Sequence, residues 1–277
     1  MAVRTFVFDL DGVVYRGKKA LPGAVDTIET LRRHGHQVYF FTNNSTQSRA
    51  TYVGKLRTIG LYTEEDHVMT SAFATALYLV ERGAQGKTVF VVGEEGLRRE
   101  LAGAGMKLVC DGIHQKVDHV VVGMDRDFTY EKLMRAHRAI ADGAEFIATN
   151  RDATFPVEGG LVVPGGGTMV AAIETATGVK PLLIGKPETY AMRKILDLAQ
   201  TPPEDAVIVG DRLDTDIRVG NKIGAMTVLV LTGIATRTEV AAAAPELRPD
   251  IVIQRLPEML EDDRLFDDAD VPSPAQG

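Results

Sequence analysis

The feature that most constrains this chain is a recurring pair of patterns: short runs that are apolar on both faces, each followed by a longer amphipathic stretch. TFVFDL, HQVYFFTNN, KTVFVVG, DHVVVGMD, EFIATN, PLLIG, DAVIVGD and MTVLVLTG are the apolar runs, with HVMTS, MKLVC and DIVIQRL as shorter ones. Between them lie helical stretches. PGAVDTIETLRRHG keeps Val25, Ile28 and Leu31 at helical spacing, with Pro22 near its start and Gly35 at its end. SRATYVGKLRTIG is closed by Gly60, and FATALYLVERG, ETYAMRKILDLAQ and the short TDIRVGNKIG continue the series. Strands apolar on both faces and separated by helices require a parallel sheet covered on both sides. The expected fold is therefore α/β, a doubly wound, Rossmann-like parallel-sheet core. The block from 83 to 183 repeats the pattern with its own punctuation and reads as a smaller α/β cap inserted into that core. The core then comprises 1–82 and 184–277, with an acidic tail from about 258.

Composition narrows the class. A chain of 277 residues with 45% hydrophobic and 25% charged residues is long enough for a large core. The formal net charge of −7 argues against a nucleic-acid or anionic-membrane binder, either of which wants a basic face. The one cysteine, Cys110, permits no internal disulfide and reads as a small buried hydrophobe in a reducing, cytoplasmic setting. No run is apolar and long enough to span a bilayer, and no signal-peptide pattern precedes the first strand. The end, EDDRLFDDAD then PSPAQG, reads as a short helix fraying into a disordered tail.

Chemistry concentrates where strands end. Asp9 and Asp11 close the first strand and Gly12 turns the chain after them. Ligand sites of open α/β sheets lie at the carboxyl ends of strands, where a metal ion can compensate carboxylates. The second strand ends FFTNNS, where Thr42 supplies a hydroxyl and small polar residues expose N–H groups suited to an anion. Asn44, Ser45 and Thr46 are also good helix caps, and both readings can hold together. Lys186, between Gly and Pro after an apolar run, places a point charge fit for phosphate. VIVGDRLDTDI brings Asp211, Asp214 and Asp216, of which Asp214 suits a helix N-cap and the others call for a cation.

In order and type these strand ends, DLDGVVYRG, FTNNS, GKPE and GDRLDTDI, resemble the motifs of the haloacid dehalogenase-like phosphohydrolase superfamily, and nearest its NagD and p-nitrophenylphosphatase-type branch. That branch carries a large α/β cap between the second and third motifs, the interval in which the extra block falls here. The resemblance implies a phosphatase acting on small-molecule phosphate monoesters. Asp9 is then the nucleophile that forms an aspartyl-phosphate, and Asp11 the acid that protonates the leaving alcohol and later deprotonates water. Mg2+ is implied as cofactor, held by Asp9, the Asp11 carbonyl and Asp211, with Asp216 orienting Lys186 or a metal-bound water. Thr42, Asn43 and Lys186 are implied as the phosphate-binding set. A phosphomutase, or a phosphoacceptor module that stores the phosphoryl group on Asp9, is the alternative on the same fold. Asp11 and the large cap speak against the phosphoacceptor. The implied partners are a small phosphorylated metabolite, neither nucleic acid nor membrane, and a second copy of the chain through the cap. Sugar phosphates, nucleotides, pyridoxal phosphate, phosphoglycolate and p-nitrophenyl phosphate all remain open as substrates.

Other signals are weaker. VVGEEGLRRELAGAG lacks the glycine spacing of a dinucleotide site and reads as a strand–turn–helix. GGLVVPGGG lacks the ending of a phosphate loop and reads as the turn before the helix TMVAAIETATG. His34 and His36 read as solvated helix caps, and His67, His114, His119 and His137 show no ligand spacing. In TNRDATFP, the residues Asn150, Arg151, Asp152 and Phe155 fit either a leaving-group pocket or an ordinary strand-end loop.

Overall fold

The computed structural model describes residues 4–110, 115–156 and 161–266. The chain forms two compact units, one of residues 1–41, 55–67 and 192–277, the other of residues 42–54 and 68–191.

In the first unit the parallel strands run in the order Ile251–Ile253, Met226–Val230, Ala206–Gly210, Thr5–Phe8 and Gln37–Thr42. From Thr5–Phe8 the chain moves outward in one direction to Gln37–Thr42. Ala206–Gly210 then pairs with the opposite edge of the same first strand. The strand order therefore reverses between Thr5–Phe8 and Ala206–Gly210, and such a switch point leaves a crevice at the carboxyl ends of the two strands. Both strands are wholly buried, so each apolar side chain stabilises the sheet by roughly 1.5–3 kcal/mol. The helix Ala24–Arg33 buries Ala24, Thr27, Ile28 and Leu31 and keeps Arg32 and Arg33 in its last turn, where they favour the helix dipole.

The second unit has its own parallel sheet, ordered Leu182–Leu183, Glu145–Ala148, His119–Val122, Thr88–Val92 and Lys107–Val109. Its core combines Phe90, Val92, Val120, Val122 and Phe146 with Ala136, Ile140, Val170 and Ile173 of the helices Tyr130–Ala141 and Gly166–Thr177. Among the described residues no helix is long and apolar enough to cross a membrane.

Several local expectations are corrected. Cys110 is exposed, because it follows the edge strand Lys107–Val109, and nothing packs beyond that side of the sheet among the paired strands. His36 is buried against Phe6 and Phe266, and its Nδ1 accepts the Arg4 N–H, so it is a core residue where a solvated cap was expected. His34 does close its helix, with its ring nitrogen 2.9 Å from the Thr30 carbonyl. The helix Arg49–Thr58 is capped by Ser48, whose Oγ accepts the Thr51 N–H. Asn44 instead closes its own turn by accepting the N–H and hydroxyl of Thr46. Two short hairpins had no sequence signal: Tyr15–Arg16 with Lys19–Ala20, and Thr154–Pro156 with Val162–Pro164. The tail is helical in short 3-10 turns at Leu256–Glu261 and Asp263–Leu265. His114, part of the glycine-rich turn and the tail beyond 266 lie outside the described residues.

Candidate active site

The first unit assembles a cluster of acids at its switch point. The ladder continues one residue past the first strand, since the Asp9 N–H donates to the Val209 carbonyl at 2.8 Å. The chain then wraps around a single acceptor. The Leu10 carbonyl receives the N–H groups of Val13, Val14 and Tyr15 at 3.3, 2.9 and 3.2 Å. This tight loop fixes the backbone that carries Asp11 immediately after the strand end. Across the switch, Ala206–Gly210 delivers Asp211, and a wide π-type turn, Leu213–Ile217, delivers Asp216. Carboxylate oxygens of Asp9, Asp211 and Asp216 lie within 4.8 Å of one another. Asp214 is not the cap. It is exposed and pairs with Arg212 at 3.3 Å, while Asp216 Oδ2 accepts the Arg212 N–H at 3.2 Å.

Two glycines explain how Asp211 fits. Gly12 has φ +88°, and a Cβ there would stand 2.5 Å from Asp211 Oδ2. A Cβ on Gly233 would stand 1.8 Å from the same oxygen. Backbone must approach that carboxylate closely on both sides, and only glycine permits it. The Ile234 N–H donates to Asp211 Oδ2 at 2.9 Å, and the Thr232 hydroxyl donates to the Gly12 carbonyl at 2.6 Å, tying the two walls together.

Asp11 has a separate environment. Burial raises its carboxyl above the usual carboxylate range, opposed by the Lys55 charge and by the Tyr15 hydroxyl at 3.5 Å from Oδ2. Lys55 Nζ sits 3.5 Å above the Tyr15 ring centroid, a cation–π contact, and burial holds that ammonium below its ordinary value. Sequence reasoning missed Lys55, which sits inside a weakly amphipathic helix and carries no motif.

The second unit holds the other residues singled out from sequence. Thr42 is buried, and its Oγ accepts the Asn44 N–H at 3.1 Å, which leaves the hydroxyl proton to donate elsewhere. Asn43 and Lys186 pair closely. Asn43 Oδ1 accepts the Lys186 N–H at 2.9 Å, and Asn43 Nδ2 donates to the Lys186 carbonyl at 2.9 Å and to Asp152 Oδ1 at 3.1 Å. Asn150, 3% exposed, donates to the Asn43 carbonyl at 2.8 Å and accepts the Asp152 N–H at 3.1 Å. Arg151 pairs with Glu174, while Phe155 sits in the hairpin opposite Val163.

Residues 6–107 match the family described as haloacid dehalogenase-like hydrolase, and residues 183–259 match the HAD-hydrolase-like family. The acid sugar phosphatase of Staphylococcus saprophyticus is 38% identical over 237 residues, covering 86% of this chain and 90% of that protein. The chain belongs to the haloacid dehalogenase-like hydrolases. Within the family it is a phosphoric monoester hydrolase with a Rossmann-like parallel-sheet core. A solved p-nitrophenyl phosphatase from Archaeoglobus fulgidus superposes on this hydrolase with a TM-score of 0.86 at 36% identity, covering 94% of this chain and 99% of that one. The glycerol phosphate phosphatase of Mycobacterium tuberculosis, solved in complex with magnesium, gives a TM-score of 0.87 at 34% identity, covering 95% of this chain and 78% of that one.

Proposed function

We propose that this hydrolase cleaves small phosphorylated metabolites through an aspartyl-phosphate on Asp9, with a divalent cation, Mg2+, held by Asp9, Asp211 and the Asp11 backbone carbonyl. The observation that carries the reading is the convergence of the Asp9, Asp211 and Asp216 carboxylates at the strand-order switch. An all-oxygen, anionic donor set suits a hard cation. When bound, the cation offsets the repulsion between the Asp9 carboxylate and the phosphate it attacks.

The chain's residues then divide the work. An Asp9 carboxylate oxygen attacks phosphorus, and the bond from phosphorus to the ester oxygen breaks. Asp11, which burial helps to keep protonated, gives its proton to the departing oxygen. Asp11 next takes a proton from water as that water attacks the aspartyl-phosphate, releasing inorganic phosphate and regenerating Asp9. Thr42 donates its free hydroxyl proton to a phosphate oxygen, the Asn43 backbone adds a second donor, and Lys186 supplies charge. Asp216 orients Lys186 or a metal-bound water. The inserted cap, residues 83–183, governs which alcohol is accepted and offers a surface for a second copy, and the setting is cytoplasmic.

A malachite-green assay of free phosphate across sugar phosphates, phosphoglycolate, glycerol phosphate, nucleotides and pyridoxal phosphate tests the class and names the substrate. Catalytic release of phosphate supports hydrolysis. A phosphomutase would isomerise sugar phosphates without release, and a phosphoacceptor would stop after one equivalent.

A further inference from the structure

The polar core of the second unit contains an arrangement that the proposed chemistry does not use. The side-chain amide of Asn43 faces the peptide of Lys186 as a neighbouring β-strand would, accepting its N–H and donating to its carbonyl, both at 2.9 Å and across 143 residues of sequence. The second Nδ2 hydrogen goes to Asp152, so both amide donors of Asn43 are committed to protein acceptors. The Asn43 backbone carbonyl is itself fixed by Ser71 Oγ at 2.6 Å and by Asn150 Nδ2 at 2.8 Å. Next to the lysine, the Gly185 N–H donates to the Thr149 carbonyl at 2.8 Å, and a Cβ on Gly185 would stand 2.6 Å from Asn43 Oδ1. Asn43, Asn150, Ser71 and Lys186 are all at least nine-tenths buried.

We infer that Asn43 is a positioning residue for Lys186: its amide clamps the lysine's peptide, and Ser71 and Asn150 clamp Asn43. The phosphate receives nothing from the Asn43 side chain. The TNRD stretch thereby acquires a role distinct from lining a pocket, because Asp152 accepts from the Asn43 side chain and Asn150 donates to its backbone carbonyl. A buried polar network with every member satisfied is rigid, and a point charge meant for a phosphoryl group needs its stem held to within a fraction of an ångström.

The test is a double-mutant cycle on p-nitrophenyl phosphate, pairing Asn43→Ala with Lys186→Met, which removes the charge but keeps the stem. If the amide acts through the lysine, Asn43→Ala lowers kcat about 10- to 100-fold in the wild-type background and by less than about threefold in the Lys186→Met background. Losses that multiply would overturn the inference and return the Asn43 side chain to the phosphate. Ser71→Ala, a milder change, should repeat the pattern at a smaller amplitude if Asn43→Ala folds poorly. The kinetic arm rests on the phosphatase reading, so a second arm is independent of it. By amide hydrogen exchange, the Lys186 N–H loses its protection in Asn43→Ala while the Gly185 N–H keeps its own. Equal loss at both, or at neither, contradicts the clamp whether or not the wild-type chain turns over.

Discussion

The two polar clusters of this hydrolase are built on opposite principles. At the strand-order switch, Asp9, Asp211 and Asp216 bring like charges within 4.8 Å, and backbone shape does much of the placing: Gly12 and Gly233 press on Asp211, and Gly210 leaves room for Asp216. In the second unit, Asn43, Asn150, Ser71 and the Lys186 peptide match donor to acceptor, with uncharged groups supplying most of the bonds. The first cluster gathers the all-oxygen donor set that a hard cation takes; the second matches donors to acceptors within the protein. Groups gathered for chemistry trade stability for function, whereas a matched polar network holds its members in place.

The contrast predicts effects of opposite sign on activity and stability. Asp9→Asn removes the attacking carboxylate, so turnover of p-nitrophenyl phosphate should fall at least about a thousandfold while the protein keeps a cooperative melting transition. Retained turnover in a folded Asp9→Asn would remove Asp9 as the nucleophile. Chelation by EDTA should abolish turnover, Mg2+ should restore it, and Mg2+ should raise the melting temperature of the wild type more than that of Asp9→Asn. Asn150→Ala should lower stability by about 1–3 kcal/mol in urea unfolding, because it strips the buried Asn43 carbonyl of one donor and removes the acceptor of the Asp152 N–H. An unchanged midpoint would mean that the network is slack.

The smallest effect concerns a device the two units share. Thr88 donates both its N–H and its hydroxyl to Asp118 Oδ2, at 2.9 and 2.8 Å, and Thr227 does the same to Asp250, at 2.8 and 2.7 Å. The Thr88 bonds hold Asp118 below the usual carboxylate range. A carboxyl whose folded value is depressed stabilises the protein above its unfolded value of 3.8 and loses that contribution as pH falls through the lower, folded value. Asp118→Asn should therefore lower the melting temperature slightly at neutral pH, and the difference should close below about pH 4. A difference independent of pH would remove the ionic part of the lock.

How much of this was legible depends on the range of the interaction. Apolar runs such as FVF and VIVG, ending in acids, disclosed both the parallel sheet and the residues at its switch, because burial and charge are local properties of sequence. The bonds between Asn43 and the Lys186 peptide were not legible, since the motif implied Asn43 as a phosphate ligand and its partner is 143 residues away. His36 carried a polar label into an aromatic core that only the fold assembles from Phe6 and Phe266. Lys55 gave no signal, because its meaning comes from Tyr15 and Asp11, which arrive from another loop.

If Asp9 is the nucleophile, the phosphoryl group resides on its carboxylate between the two half-reactions. Rapid acid quench during turnover, followed by peptide mass analysis, tests it directly. One phosphoryl group is expected on the peptide bearing Asp9, formed and lost at rates compatible with turnover and absent from Asp9→Asn. Turnover with that peptide unmodified, or a label on any other residue, would contradict it.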